Sequence, residues 1–176
     1  MSTVLRPAIG ISIVFFVLLG LAYPLAETGI GQALFAYQAN GSLTSNGSVL
    51  VGQSWTGPRW FQGRPDADNP LATGGTNLGP RSQTLVQDVR KQISLLRKEG
   101  ITPTSDLVTT SGSGVDPDIS PADAYAQVNA VAKARGLSAS AVRNLVNGHI
   151  QPAQLGFLGS SSINVLKLNE ALAGLR

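Results

Sequence analysis

The chain has 176 residues, of which 43% are hydrophobic and 13% are charged, and it contains no cysteine and a single histidine. That length suits one compact domain with a short appendage, and the composition excludes disulfides, Cys-ligated metal and a disordered chain. The formal net charge of +3 is too small for nucleic-acid binding by charge alone, so we expect no nucleic-acid partner.

The first predicted element is a transmembrane helix. Residues 7–26 include no charged side chain, and a helix of that length spans about 30 Å, the thickness of the hydrocarbon core of a bilayer. Pro24 is expected to disturb only its last turn. A cleaved signal peptide is the alternative, but its apolar region is typically only about 7–15 residues long, and Ala22 and Ala26 fit a cleavage site poorly. The pattern therefore predicts a span over residues 7–27.

Positive charge near the span sets its expected orientation. Arg6 and the terminal amine lie on one side, whereas Glu27 is the only charged residue on the other side before Arg59. The positive-inside rule then places residues 1–6 in the cytoplasm and residues 28–176 outside. We expect a single-pass protein of the cell membrane, the inner membrane where two are present, with an extracytoplasmic C-terminal domain.

Between the span and the next helix the chain is rich in turn residues. A run of Val and Leu predicts a buried strand over Ser48–Gln53. Gly57–Pro80 follows, and its Gly, Pro and Asn residues predict turns without a long periodic element. Long loops of this kind are usually functional or disordered, and the aromatic pair Trp60–Phe61 favours docking against the core.

Ser82–Glu99 is the clearest helix of this domain. Its apolar residues recur at helical spacing on one face, and Gly100 stands where a helix ends. Those residues are Leu85, Val89, Ile93 and Leu96. After this helix, Asp106–Thr110 predicts a short strand that leads into the glycine-hinged segment Ser111–Gly114.

A second helix is predicted from its capping residues. Ser120 is suited to accept a hydrogen bond from the amide of Asp123, and Pro121 is favoured in the first turn. Asp123 also suits the positive end of the helix dipole. Gly136 ends the pattern.

The C-terminal part predicts a third helix and a final strand. The helix begins after Ser138 and ends before Asn147, and Ile163–Leu168 predicts a strand followed by a helical turn over Glu170–Leu175. The fold class is therefore α+β: one N-terminal transmembrane helix plus one small extracytoplasmic domain of about three helices and three or four short strands.

Ser113 is the one candidate nucleophile, because glycines flank it on both sides. The G-x-S-x-G pattern fails at Ser111, and His149 is the only candidate base. We interpret the segment as a hinge between a strand and a loop. A membrane-anchored envelope hydrolase that uses Ser113 is the alternative.

Two other patterns are candidate ligand sites. Gly74–Gly79 is rich in glycine but lacks the Lys of a triphosphate-binding loop, which leaves an anion-binding nest of amides as its alternative. The acidic residues are close together in sequence and are a candidate cation site, although their spacing is not that of a calcium-binding EF-hand loop. They are Asp66, Asp68, Asp116, Asp118 and Asp123. We predict no catalytic residue, no metal site and no cofactor bound by this chain alone.

Taken together, the motifs resemble the KdpC family, the small accessory subunit of the Kdp potassium-transporting ATPase, a bacterial importer driven by ATP. The resemblance covers nearly the whole chain, and its most specific segments are Ser111–Pro121 and Leu155–Gly159. The other matching segments are the N-terminal span, Val51–Gln53, Trp60–Phe61, Arg64–Pro65, Gly74–Pro80, Asp106–Thr109, Val131–Ala132, Ala134–Leu137, Asn164–Leu166 and Leu168–Asn169. Local departures are Asp118, where the family most often has His, Ser160–Ser162, Asp66 and Asp68.

The resemblance implies a non-catalytic accessory subunit of a potassium import complex. Its partners would be a channel-like potassium-binding subunit, a P-type ATPase subunit and a small single-span subunit, and the complex as a whole would handle ATP and potassium. Members of the family are described as catalytic chaperones that raise the ATP affinity of the ATPase subunit, and therefore as ATP-binding. ATP is cytosolic, so the expected topology conflicts with direct contact.

We expect partner contacts at exposed residues of the turn-rich loop, because loops on a rigid scaffold commonly carry recognition. The predicted contact residues are Trp60, Asn77 and Gly79 of this loop, together with Asp116 of the glycine-hinged region. A free-standing ligand-binding module tethered to the membrane is a further alternative. The chain has ten aromatic residues, however, and five of them fall in or near the span, which leaves few to line a pocket.

Overall fold

The computed structural model describes residues 2–66 and 73–175. The chain divides into two units, Met1–Leu43 and Thr44–Arg176. Residues 67–72 of the predicted loop Gly57–Pro80, with Asp68 among them, lie outside the described residues.

The first unit is built around one long apolar helix. α1 (Ser2–Val17) continues through a π-helical turn (Leu18–Ala22) into α2 (Tyr23–Leu34), and the short α3 (Ala36–Ala39) follows. Over Thr3–Leu34 an 18-residue window reaches a mean hydropathy of 2.3, and none of that window is buried within the protein. By length and composition this helix is able to cross a bilayer. It contains the predicted span but begins before residue 7 and ends after residue 27.

Pro24 explains the π-helical turn. Proline has no N–H to donate, and in a regular helix its ring clashes with the carbonyl four residues earlier, here that of Gly20. The Tyr23 amide donates to the Leu18 carbonyl, five residues back, so the helix widens just before the proline. The prediction that Pro24 lies in the last turn is wrong, because the helix continues to Leu34.

The β-structure within residues 2–66 and 73–175 consists of two small sheets. β1 (Leu43–Thr44) and β2 (Gly47–Ser48) form one, and β3 (Asp118–Ile119) pairs antiparallel with β4 (Ile163–Asn164) in the other. In the second sheet Asp118 lies opposite Asn164, and Ile119 lies opposite Ile163. The mixture of helices with small sheets agrees with the predicted α+β class.

The predicted strand over Ser48–Gln53 is wrong. Only Ser48 belongs to a strand, and Leu50 is 59% exposed. Single hydrogen bonds hold this segment in place of a ladder: the Asn164 side-chain amide donates to the Val49 carbonyl at 2.8 Å, and the Gly52 amide donates to a carbonyl of a distant loop. Val49 is therefore buried without strand pairing, and Val51 is only partly buried.

The predicted helix Ser82–Glu99 is confirmed as α4 (Gln83–Lys98). The Ser82 hydroxyl accepts from the amide of the third residue after it, and Gly100, at φ +75°, follows the helix in the left-handed conformation that ends it. Its apolar face is the more buried one, and Leu96 joins a small core cluster with Ile101, Leu107 and Ala130.

The predicted strand Asp106–Thr110 is also wrong. Its first residues form α5 (Ser105–Val108), a single helical turn, and the Thr109 hydroxyl donates back to the Ser105 carbonyl at 2.8 Å. Leu107 is fully buried in the small cluster. A local helical turn delivers that side chain to the cluster, which outweighs the strand preference of the following Val and Thr residues.

The second and third predicted helices are confirmed. α6 (Pro121–Arg135) begins with a reciprocal capping box between Ser120 and Asp123 and ends at Gly136, which has a φ of +70°. α7 (Ala139–His149) begins at a Ser138 cap and runs two residues beyond Asn147.

The predicted strand Ile163–Leu168 continues only as far as Asn164. The Asn164 side chain accepts from the Lys167 amide at 3.2 Å and so caps α8 (Val165–Gly174). Val165, Leu166, Leu168, Asn169 and Leu172 are buried, a helical spacing that places one face against the core. The cap and this spacing together explain why a helix begins there.

The main core lies among α6, α7, α8 and the small sheet of β3 and β4. Partly buried side chains, Trp55 and Trp60 among them, pack around it. Its fully or nearly fully buried members are Phe61, Ile119, Ala124, Val128, Val131, Ala132, Val142, Val146, Ile163, Val165, Leu168 and Leu172. The prediction that Trp60–Phe61 docks against the core is therefore confirmed.

Two buried side-chain amides hold the irregular segment that contains Phe61. Asn169 of α8 accepts from the Phe61 amide and donates to the Phe61 carbonyl, both at 2.9 Å. Gln127 of α6 does the same for Gln62, accepting at 2.7 Å and donating at 3.0 Å. Both amides are fully buried. They supply the hydrogen bonds that a neighbouring strand would otherwise make to this backbone.

Asn169→Ala is expected to destabilise the fold strongly. It leaves the buried amide and carbonyl of Phe61 without partners, at a cost of roughly 1–3 kcal/mol for each group. Chemical unfolding of the full chain in detergent, followed by circular dichroism, measures this loss. The control is Asn144→Ala, an exposed helical asparagine on α7. Equal stability of the two variants would contradict the assigned role of Asn169.

Candidate interaction site

The carboxylate of Asp66 organises the segment Ser111–Asp116, which we call the glycine loop. Its Oδ1 accepts from the Ser111 amide at 2.6 Å, and its Oδ2 accepts from the Ser111 hydroxyl at 2.6 Å and from the Asp116 amide at 2.9 Å. The Ser111 hydroxyl oxygen accepts from the Gly114 amide at 2.9 Å. Because hydrogen bonds to a charged group are stronger than neutral ones, Asp66 constrains the shape of this loop.

Glycines let other segments approach the glycine loop closely. Gly52 and Gly74 each donate an amide hydrogen bond to a carbonyl of the loop, at 2.7 and 2.6 Å. A Cβ added to Gly114 would lie 2.6 Å from the Gly74 carbonyl oxygen, and one added to Gly52 would lie 2.5 Å from the Asp116 carbonyl oxygen. Gly114 also has a φ of +70°. These glycines therefore serve the packing of three chain segments.

The surroundings of Ser113 do not support the hydrolase alternative. Its side chain is exposed, and its hydroxyl oxygen accepts from the Val115 amide at 3.2 Å. The imidazole Nδ1 of His149 lies 2.8 Å from the Leu145 carbonyl oxygen, at the end of α7. Within the described residues, His149 makes no hydrogen bond to Ser113, so the pairing of base and nucleophile that such an enzyme needs is missing.

The members of the candidate cation site that the structure describes, Asp66, Asp116, Asp118 and Asp123, are engaged within the fold. Asp116 Oδ1 accepts from the Asp118 amide at 3.0 Å, and the Asp118 carboxylate accepts from the side chains of Ser162 and Asn164. Asp123 caps α6. Across residues 2–66 and 73–175, no three His, Cys, Asp or Glu side chains are grouped so as to hold a metal ion.

Arg64 links the segment after Phe61 to the chain around α5. One of its terminal nitrogens donates to the Thr109 hydroxyl at 3.2 Å and to the Thr110 carbonyl at 3.1 Å, and the other lies 3.4 Å from Asp106 Oδ1. Burial, and then the nearby carboxylate of Asp123, raise the pKa of Asp106, while Arg64 opposes that shift. Arg64 therefore offsets the repulsion between carboxylates that are brought together here.

A cleft of about 600 Å³ lies between α4 and this network. Its wall on the α4 side includes Leu85, Asp88 and Gln92, and the opposite wall includes Trp55 and Arg64. Its lining mixes charged, amide and apolar groups. Asp116 is the one predicted contact residue that lines this cleft in the described part of the chain.

The predicted contact residue Trp60 is half-buried and supports the core. Its ring centroid lies 5.0 Å from that of Trp55, and the guanidinium carbon of Arg135 lies 4.9 Å from the centroid of the Trp60 ring. The Arg135 side chain also donates to the Arg59 carbonyl at 3.4 Å. This cation–π stack joins α6 to the segment before Phe61. A partner contact at Trp60 stays a prediction.

The other predicted contact residues are placed differently. Asn77 and Gly79 are exposed, and Asn77 has a φ of +54°, a left-handed conformation that asparagine tolerates better than most residues. The Gly79 carbonyl accepts from the Ser82 amide at the start of α4. Asp116 is half-buried in the glycine loop. Their roles in partner contact also stay predictions.

Sequence reasoning missed two sets of residues. Asn169 and Gln127 stand at buried positions of helices, and a polar residue among apolar ones at helical spacing was the available signal. Leu155, Phe157 and Leu158 are exposed, although their apolar chemistry predicts burial. The sequence contains no local signal for that exposure.

The family model and the relatives that match this chain share one description. A family model described as KdpC: K+-transporting ATPase, c chain, matches residues 5–174. The Potassium-transporting ATPase KdpC subunit of Allorhizobium ampelinum is 47% identical, over 96% of this chain and 94% of its own. The protein of the same name from Sorangium cellulosum is 47% identical, over 98% of this chain and 98% of its own. The one from Geobacter sulfurreducens is 45% identical, over 96% of this chain and 96% of its own.

Gly114→Ala is expected to destabilise the protein, whereas Gly112→Ala in the same loop is expected to be tolerated. The first places a Cβ against the Gly74 carbonyl at a φ of +70°, and the left-handed backbone alone costs about 1–2 kcal/mol. At Gly112 nothing lies within 4 Å of the added Cβ. Chemical unfolding of the two full-length variants in detergent makes the comparison. A Gly114→Ala variant as stable as Gly112→Ala would refute the packing role.

Proposed function

The chain belongs to the KdpC family, the c chain of the K+-transporting ATPase, and we propose that it is a non-catalytic subunit that stabilises the assembly of an ATP-driven potassium importer. The observation that carries this proposal is the extent of the family match. Residues 5–174 include nearly all of the apolar helix and the whole region of the glycine loop and the buried core. The proposed role therefore belongs to the entire chain, anchor and domain together.

The proposed partners are a channel-like potassium-binding subunit, a P-type ATPase subunit and a small single-span subunit. The relatives named above are subunits of a potassium-transporting ATPase. ATP and potassium would be handled by these partners. The domain formed by residues 44–176 would pack over the potassium entrance of the channel-like subunit, and the helix would hold the assembly together in the membrane.

The proposed topology is a cytoplasmic N-terminus, residues 1–6, and an extracytoplasmic domain, residues 28–176. Support comes from charge: Arg6 precedes the apolar stretch, and Glu27 is the only charged side chain between that stretch and Arg59. With this topology the domain does not meet cytosolic ATP. An effect on ATP use by the ATPase subunit, the catalytic-chaperone role, would then be transmitted through the membrane-embedded partners.

Purification of the C-terminally tagged chain from membranes in mild detergent is expected to recover a P-type ATPase chain and a multi-span channel-like chain in fixed ratio. We expect this recovery because both the membrane helix and the domain take part in assembly. Mass spectrometry of the purified material identifies the recovered chains and measures their ratio. Ser113→Ala serves as a matched variant and is expected to recover the same partners and to keep potassium uptake. Recovery of the tagged chain alone, across detergents and under potassium limitation, would overturn the accessory-subunit proposal.

Single cysteines test the topology, because the chain has no cysteine of its own. In intact spheroplasts, a membrane-impermeant maleimide is expected to label Ser140→Cys, which is exposed on α7. Thr3→Cys is expected to react only after the membrane is permeabilised. Gel shift of the labelled chain measures both reactions. The reverse pattern would place the domain in the cytoplasm and overturn the topology, while leaving the subunit assignment in place.

A further inference from the structure

An exposed apolar loop at residues 155–159 stands apart from the core of the domain. We call Leu155–Gly159 the apolar loop. Leu155 is 82% exposed, Phe157 is 74% exposed and Leu158 is 50% exposed. None of the three belongs to either core cluster of the described residues. Three large apolar side chains within four residues are therefore half or more exposed and add little to the core of the domain.

The backbone of the apolar loop is ordered by hydrogen bonds. Gln154 donates its amide to the Leu158 carbonyl at 2.9 Å and accepts from the amides of Phe157 and Leu158 at 3.2 and 2.9 Å. Below this turn, the backbones of Gln151 and Ser162 exchange two hydrogen bonds, at 2.8 and 3.0 Å. The loop thus presents its apolar side chains on a preformed scaffold that does not depend on them for its shape.

The conformation of the apolar loop is also costly. Leu155 has a φ of +54°, a left-handed conformation that strains a residue with a side chain, whereas Gly156 and Gly159, at +82° and +80°, adopt positive φ without strain. Strain and exposed apolar area at one turn both disfavour this arrangement in the isolated chain. Strained residues of this kind cluster at ligand clamps and switch regions, so the strain at Leu155 favours a binding role.

Neither a lipid surface nor a second copy of this chain matches the apolar loop. Segments that bind the membrane surface combine apolar residues with Lys, Arg, Trp or Tyr, but residues 150–166 include none of these and no charged residue at all. A stable homodimer buries about 800 Å² on each partner, and three side chains of this size cover roughly 500 Å² at most. The loop alone is too small for that interface.

We infer that the apolar loop inserts Leu155, Phe157 and Leu158 into an uncharged apolar pocket on another subunit of the potassium-transporting complex. This inference rests on the proposed function, since it requires that the chain assembles with partner subunits. A small anchor is sufficient in that setting, because association through the membrane helix raises the effective concentration of the loop at its pocket. An aromatic side chain at the centre of such a contact is the usual energetic anchor.

Phe157→Ser is expected to lower the amount of partner subunits recovered with the tagged full-length chain about tenfold or more in detergent. The matched control is Leu50→Ser, which removes an apolar side chain of similar exposure outside the loop and is expected to leave recovery unchanged. Unfolding of the two variants in detergent checks that both keep wild-type stability. Wild-type recovery by Phe157→Ser would overturn the inference and leave the proposed function standing, whereas failure of the wild-type chain to recover partners would overturn both.

Photo-crosslinking identifies what covers the apolar loop. Ser160→Cys lies next to the loop and keeps its three apolar side chains, and Ser94→Cys on α4 is the exposed control. Each variant is labelled with benzophenone maleimide in the purified complex and irradiated, and the adducts are identified by mass. A crosslink from Ser160→Cys, but not from Ser94→Cys, to another subunit of the complex supports the inference. Adducts with lipid, adducts with a second copy of this chain, or no adduct at Ser160→Cys would each overturn it.

Discussion

The fold of the domain depends on two buried amides that hold an irregular segment of chain. Asn169 and Gln127 bond both backbone groups of Phe61 and Gln62, which places Phe61 in the centre of the main core. Helices have no free backbone edge, so a segment that crosses them without pairing to a strand must find its hydrogen bonds in side chains. Arg64 and Asp66 follow Phe61 closely in the same segment, and Asp66 constrains the glycine loop. Loss of the buried amides would therefore release the core aromatic residue and the loop scaffold together.

The residues that the sequence offers as candidate catalytic or ligand-binding groups instead stabilise the fold of the domain. Ser111 and Gly114 belong to the hydrogen-bond network of Asp66, and Gly52 and Gly74 allow backbones to approach closely. Their groups are occupied by contacts within the chain. What remains available for recognition is the exposed surface, where Asn77 and the apolar loop are found. This division suits a subunit whose work is to bind other proteins, because such a role needs a rigid domain more than a reactive site.

The elements predicted correctly are those whose signals are local. α4, α6 and α7 each begin at a serine cap, and α4 and α6 end at a left-handed glycine, features that are decided within one helical turn. The two wrong strands, Ser48–Gln53 and Asp106–Thr110, and the part of Ile163–Leu168 beyond Asn164 are rich in Val, Leu or Thr, whose preference for extended structure is weak unless a neighbouring strand is present. At Asn164 the chain leaves β4 and enters α8 because its side chain caps the helix. Paired strands are distant in the sequence, so a local sequence pattern does not predict which segments pair.

The sequence by itself determined the apolar helix, the three capped helices and the family, because composition, spacing and capping residues are properties of adjacent positions. Only the tertiary structure decided that Asp66 constrains the glycine loop across 45 residues and that Asn169 holds Phe61 across 108. The same is true of the exposure of Leu155, Phe157 and Leu158. Burial depends on what other parts of the chain have already covered, and that is settled by long-range packing rather than by the identity of a residue.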